Sequence, residues 1–389
     1  MYRIGQEEID AVAKVIRTKD FFKINNSLHE AENAEEDMKK LFNVKHAIMM
    51  TSGHGALTSA LIAMGVGPGD EVIVPAYTYI ATAMAVVAAG AMPVIAEADE
   101  TLTISPEDVE KKITKNTKAI VPVHIQGFPC NMDAIMEIAK KHNLMVLEDA
   151  CQADGGMFRG KRLGTIGDAG ALSFNYYKIV SAGEGGALLT NDKTIFDRAL
   201  IYHDSSAVAY FGDQLSDVDS MLFCGNEYRA NEILSAIMRE QFKRMDGILK
   251  DLRANKKYLM DALADVCEFA PSNDIEGDCG TTLPISFESY ESACAFAAAE
   301  GINGSVPYDT GKHVYKNWTP IMTKTGAMNP LMDPFKMEAN KDIVPDYSED
   351  MCPKTLDILS KTAYININPD WTKAELDKMV ENVKKALNK

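Results

Sequence analysis

From Lys45 to about Thr190, short apolar runs alternate with stretches of helical period, the pattern of βαβ units laid on a parallel sheet. The apolar runs are Glu71 to Val74, Met92 to Ala96, Lys118 to His124, Met145 to Asp149, Ala169 to Ser173 and Gly186 to Thr190, most of them followed by polar or Gly-containing turns. Between them, apolar residues recur at helical spacing in Ala56 to Met64, Tyr79 to Ala89 and Met132 to His142, with Asn131 placed to cap the last. This half of the chain is expected to be a three-layer α/β/α domain with a mainly parallel sheet.

A longer periodic stretch runs from Asn226 to about Val266 and puts Ile233, Ile237, Phe242, Met245, Ile248 and Leu252 on one face. It is expected to lead from the large domain into a smaller one. The tail offers a strand at Thr281 to Phe287, a helix at Ser289 to Glu300 and an amphipathic helix at Thr372 to Leu387, which suits a small α+β unit. Because 389 residues exceed what one core usually serves, the expected division is a large domain over 1–250, including an amphipathic N-terminal helix, and a small domain over 251–389. Ser305 to Ser348 has no clear period and is too long for a plain connector, so it is read as a functional loop region.

Composition narrows the class. With 46% hydrophobic and 25% charged residues the chain is an ordinary globular protein, and a net charge of -16 without basic, aromatic-interleaved runs argues against nucleic acid as a partner. Backbone amides and a few local cations can still hold a phosphorylated or acidic small molecule. The seven cysteines are scattered and form no CxxC pair, which argues against a disulfide framework or a zinc site. The N-terminus lacks a signal-peptide core and no segment reaches the apolar length of a membrane span, so the protein is read as cytoplasmic, with no membrane partner.

Candidate chemistry gathers where strands end. Asp149 closes the run Met145 to Asp149, and Lys178 follows the run that ends at Ser173; ligands of parallel α/β sheets sit at such carboxyl ends. A cofactor that stabilises carbanions needs a lysine to hold it as a Schiff base and an acid to keep its pyridine nitrogen protonated, and Lys178 and Asp149 suit those roles. Taken singly, Asp149 reads as a helix cap and Lys178 as a surface lysine. The upstream turn Thr51-Ser52-Gly53-His54-Gly55-Ala56 strengthens the pairing, because it leaves a short strand and opens a helix whose amides and dipole can hold a phosphate. It is neither a Walker loop nor a GxGxxG turn. Tyr77 and Tyr79 offer an aromatic face for a planar ring, with core or dimer packing as the other use of either.

Several linked motifs, TSGHGAL, GPGDEVIVPAYTYIATA, KAIVPVHIQGFPCNMDAI, LEDACQADGG, GDAGALSFNYYKIVSAGEGGALLTND and GNEYRANEI, resemble the DegT/DnrJ/EryC1/StrS family of sugar aminotransferases, fold type I enzymes dependent on pyridoxal 5'-phosphate. The resemblance implies that Lys178 carries the cofactor and shuttles a proton, and that Asp149 pairs with the pyridinium. Gln152 would lie near the phenolic oxygen, Tyr79 would stack on the ring, and Gly53, His54, Gly55 and Ser173 would hold the phosphate. Glu184 would shape the site near Lys178. It also implies a homodimer with shared sites, amino transfer from an amino acid such as L-glutamate to a keto or aldehyde carbon of a sugar, and a lysine where dehydrating relatives carry histidine.

Two positions depart from the family pattern. His54-Gly55 stands where Thr-Ala is common, and Glu227 where an Asn usually reaches the neighbouring subunit's phosphate, a role left to Asn226. Arg229 is the candidate for the donor's carboxylate, with a structural salt bridge as its other use. The segments Ala96 to Thr103 and Tyr308 to Trp318 resemble the octulosonate-aminating branch of the family, which serves lipopolysaccharide synthesis, and the second makes Lys312, His313, Lys316 and Trp318 candidates for an acidic sugar. A sugar dehydratase or lyase, and a non-catalytic regulatory protein that binds the cofactor, are the alternative functions.

Overall fold

The computed structural model describes residues 3–24, 27–210 and 218–388; Met1 and Tyr2, at the head of the expected N-terminal helix, lie outside the described residues. In chain order the first elements are α1 (Gln6–Thr18), α2 (Glu30–Phe42), β1 (His46–Met50), α3 (Gly53–Ala63), β2 (Glu71–Pro75), α4 (Ala81–Ala88), β3 (Met92–Ala96), α5 (Pro106–Lys112), β4 (Thr117–Ile120), α6 (Met132–His142) and β5 (Met145–Asp149). A short hairpin, β6 (Met157–Phe158) with β7 (Lys161–Arg162), precedes β8 (Ala169–Ser173), β9 (Gly186–Thr190) and α7 (Lys193–His203). Then come α8 (Glu232–Leu263), β10 (Glu268–Phe269), β11 (Thr282–Ser286), α9 (Tyr290–Ala297), α10 (Thr319–Met322), α11 (Pro353–Ser360), β12 (Thr362–Asn366) and α12 (Lys373–Ala386).

Among the described residues the main sheet has the order β1-β9-β8-β5-β4-β2-β3, which makes β5 its middle strand. Strands β3, β2, β4, β5 and β8 run parallel, as the alternating pattern predicts. The parallel run breaks at β9, which pairs antiparallel with both β8 and β1. A parallel return needs a crossover, usually a helix. The chain after β8 instead folds into a tight loop closed by a bridge between Asn175 and Gly183, so it can only come back antiparallel.

The helices start where polar caps allow. Ser52 accepts the N–H of Gly55 at 3.0 Å, Asn131 that of Ala134 at 3.2 Å, and Asn231 that of Leu234 at 3.0 Å. The cap at Asn231 starts α8 later than the periodic stretch from Asn226 suggests. Along α8, Phe242, Met245, Ile248 and Leu252 are buried as expected, but Ile233 and Ile237 are only half-buried. There Glu232 takes the inner face and its carboxylate accepts the N–H groups of Glu30 and Ala31 at the start of α2, at 2.5 and 3.1 Å.

Two apolar cores result, and the antiparallel trio β10-β11-β12 forms a separate small sheet. The region read as a functional loop does not pack with that sheet throughout. Its Val314, Tyr315, Trp318, Ile321 and Phe335 join α3, α4 and the main-sheet strands in one core.

A fully buried carboxylate on β5 secures the turn that precedes β8. Glu148 accepts the N–H groups of Gly164, Ile166 and Gly167 at 2.9, 2.5 and 2.7 Å, and meets His124 Nε2 at 3.1 Å. The N–H of Cys130 donates to His124 Nδ1, so the imidazole proton sits on Nε2 and points at Glu148. Glu148→Ala would strand these buried donors and is expected to cost about 3 kcal/mol or more, with Glu148→Gln milder. Urea unfolding measures this, and an unchanged midpoint in Glu148→Ala would contradict it.

Candidate active site

Asp149 leaves the middle of the main sheet at the carboxyl end of β5. It is 4% exposed, and a buried carboxylate must be hydrogen-bonded to be tolerated. Thr82 Oγ1, on α4, donates to its Oδ2 at 2.8 Å, and the N–H of Cys151 donates to Oδ1 at 3.1 Å. Its orientation is therefore set from two sides.

Strand β8 ends at Ser173 on the same rim. In the loop beyond it, the N–H of Tyr176 reaches Gly183 O and that of Lys178 reaches Asn175 O, each at 2.9 Å. This places Lys178 in the wall of a cavity of about 730 Å³ that Asp149, Gln152, Ser173 and Glu184 also line. Glu184 is steadied by Asn175 Nδ2, 3.2 Å from each carboxylate oxygen.

The turn from β1 into α3 supplies another wall through Ser52, Gly53 and His54. The cap at Ser52 uses the N–H of Gly55, which leaves Gly53 and His54 as first-turn amides without an intrahelical partner, at the positive end of the helix. Gly53 is required by space, since a Cβ there would lie 2.8 Å from both Cys151 Sγ and Ser173 Cβ. His54 Nδ1 lies 3.3 Å from Ala81 O. Burial pulls the His54 pKa below its ordinary value, and neither the Ala81 carbonyl nor the charge of Asp149 restores it.

The two tyrosines separate cleanly. Tyr77 is buried and donates to Tyr364 OH at 3.2 Å, whereas Tyr79 is 41% exposed and lines the cavity. Against Tyr79 lies the segment that carries Lys312 and His313. The N–H of Thr78 donates to His313 O at 2.9 Å and that of Ile80 to Lys312 O at 3.0 Å, so the segment is laced to the tyrosine turn. Lys312 Nζ stands 5.4 Å from the Tyr79 ring centre, the His313 ring 5.6 Å from it, and both residues line the cavity.

Five expected residues do not face this cavity. Gly55 spends its amide on the cap and would press a Cβ within 3.3 Å of Ser52 Oγ and the Tyr228 ring. Trp318 is fully buried and its indole N–H donates to Lys312 O at 3.1 Å, so it props the backbone instead of touching a ligand. Asn226 donates to Tyr202 OH at 2.6 Å, and Arg229 pairs with Asp204 and, at 2.7 Å, with Glu227, while lying over the Phe22 ring. Lys316 lies 3.6 Å from the Tyr308 ring centre, also away from the cavity lining.

Polar residues that the sequence did not single out also line the wall, among them Thr82, Cys151, Gln126, Thr281, Thr282 and Asn366. Thr82 lies one turn beyond Thr78 and touches its hydroxyl at 2.8 Å, a spacing open to notice. Gln126 had no such signal. It holds a left-handed conformation, φ 53°, more usual for Gly or Asn, with its N–H on Gln152 Oε1 at 3.2 Å and its carbonyl accepting from Thr281 Oγ1 at 2.6 Å.

An amine, an acid, an aromatic face and a helix N-terminus thus open on one cavity. This donor set fits pyridoxal phosphate: Asp149 for a protonated ring nitrogen, Tyr79 for the ring, Gly53, His54 and Ser173 for the phosphate, Lys178 for the aldehyde. Thr82→Val removes the hydroxyl that orients Asp149 and is expected to weaken cofactor binding about tenfold with the fold intact. Equilibrium titration of the apoprotein with pyridoxal phosphate checks this, and unchanged affinity would contradict it.

Residues 2–384 match the profile of the DegT/DnrJ/EryC1/StrS aminotransferase family. The chain is similar to GDP-perosamine synthase of Escherichia coli O157:H7, 41% identical over 54% of this chain and 57% of that protein. It is also similar to a pleiotropic regulatory protein of Geobacillus stearothermophilus, 32% identical over 81% of this chain and 84% of that one. The matches to GDP-perosamine synthases span less than two thirds of those proteins' own length. The solved aminotransferase of Psychrobacter cryohalolentis superposes with a TM-score of 0.81 at 27% identity, covering 100% of this chain and 98% of that one. The chain belongs to the DegT/DnrJ/EryC1/StrS aminotransferase family.

Proposed function

We propose that this protein is a pyridoxal phosphate-dependent sugar aminotransferase. One observation carries the reading: Lys178 and Asp149, delivered by separate strands, line the same cavity beside the N-terminus of α3. When bound, the cofactor supplies an electron-withdrawing ring that stabilises negative charge on a carbon losing its proton. Asp149 would keep the ring nitrogen protonated, and Gln152 would lie near the phenolic oxygen. Lys178 Nζ would take and return the proton of the substrate carbon, serving first as general base and then as general acid. Gln126, Thr281, Thr282 and Asn366 add uncharged polar groups to the cavity wall, suited to a hydroxylated acceptor.

The donor is L-glutamate and the acceptor a keto or aldehyde sugar. Among acceptors an oxidised octulosonate suits the cation at Lys312, and such a product belongs to lipopolysaccharide synthesis. The working unit is a cytoplasmic homodimer; Asn226, which faces away from the cavity of its own chain, suits a role at the neighbouring site. The resemblance to the Geobacillus protein favours a second reading, a regulatory protein that binds the cofactor without turnover.

The purified holoenzyme is expected to show a visible cofactor band that L-glutamate bleaches and one keto sugar restores, and Lys178→Ala to lack both the band and turnover. A band indifferent to every amino acid would leave the regulatory reading standing, and release of ammonia without net amino exchange would make it a lyase.

A further inference from the structure

An amino donor brings a carboxylate into a cavity that already holds the carboxyl groups of Asp149 and Glu184. Another anion enters such a place only opposite a cation. Among the described residues lining the cavity there is no arginine; the basic side chains are Lys178, Lys312, His54 and His313. Lys178 is committed to the chemistry. Burial lowers the pKa of His54, and burial together with the charges of Lys312 and Lys178 pushes that of His313 down to about 4, so both imidazoles are neutral near pH 7. Arg229 is already neutralised by Asp204 and Glu227, wherever a second subunit would place it.

Lys312 remains. No carboxylate of the described residues forms an ion pair with its Nζ, which lies over the Tyr79 ring, and a cation over an aromatic ring at an exposed site is held weakly enough to meet an anion as well. Its side chain is exposed but its backbone is not free: Ile80 N–H and the buried Trp318 indole both donate to Lys312 O, at 3.0 and 3.1 Å. A mobile ammonium on a clamped backbone makes a reversible anchor. His313 lines the same cavity as Lys312 and Lys178, and its ring lies 5.6 Å from that of Tyr79.

We propose that Lys312 is a substrate-binding residue that holds the carboxylate of the amino donor, a role beyond any contact with an acidic acceptor. The inference rests on the aminotransferase reading and can be tested apart from it. Glutarate, a dicarboxylate without an amino group, is titrated into the holoenzyme by calorimetry, and L-glutamate is titrated against the visible cofactor band. Lys312→Met is expected to weaken glutarate binding and raise the half-saturating glutamate concentration about tenfold each, with the limiting rate of bleaching little changed and Lys312→Arg restoring both. Because Lys312 is exposed, neither substitution disturbs the core. Glutarate that does not bind the wild type, or glutarate and glutamate titrations within twofold of wild type in Lys312→Met, would overturn the proposal. Weakened glutarate binding in a protein whose band no amino acid bleaches would uphold the anchor and sink the aminotransferase reading.

Discussion

The placement of one buried carboxyl group organises the rest. Asp149 ends the middle strand of the sheet, where water is largely excluded, and is kept there by Thr82 and by the N–H of Cys151. Thr82 in turn belongs to α4, which starts just after the tyrosine turn, so orienting the acid also positions Tyr79. The small residue at Gly53 lets the first turn of α3 close on Cys151 and Ser173. Acid, aromatic face and the first-turn amides of α3 are thus three consequences of one packing arrangement.

The second constraint is the reversal after β8. An antiparallel return through a tight loop keeps Lys178 at the rim, whereas a crossover helix would carry the chain to the opposite end of the sheet before it could return. The long segment before α11 then closes the other side by pairing with the tyrosine turn, bridging Val314 to Tyr77. Its buried Trp318 and Tyr315 supply the adhesion, and Lys312 and His313 are what it delivers. The net charge of -16 is no obstacle to binding anions here, because two lysines and a helix N-terminus set the local field.

Much of this was legible in the chain because it depends on local pattern. Strand-forming runs such as Met145–Asp149 and Ala169–Ser173, and α6 with its Asn131 cap, follow from periodicity and capping chemistry. Lys178, Asp149 and Tyr79 stood at strand ends, where ligands bind. What escaped depends on distant partners. Periodicity does not report strand direction, so the antiparallel β9 was invisible. Nothing near Trp318 says that its indole would be buried under Lys312, or near Arg229 that Asp204 would claim it. Gln126 entered a conformation that its type seldom adopts, held there by Gln152 and Thr281 from elsewhere in the chain.

The most direct test of the central claim is reduction of the holoenzyme with borohydride followed by peptide mass spectrometry. A cofactor held as a Schiff base becomes a stable phosphopyridoxyl group on the lysine that bears it. The label should fall on the peptide containing Lys178 and on no other, and should disappear when Asp149→Ala prevents the cofactor from being retained. A label on Lys312 or another lysine, or no label on protein saturated with pyridoxal phosphate, would contradict the assignment of Lys178 and Asp149 as the catalytic pair.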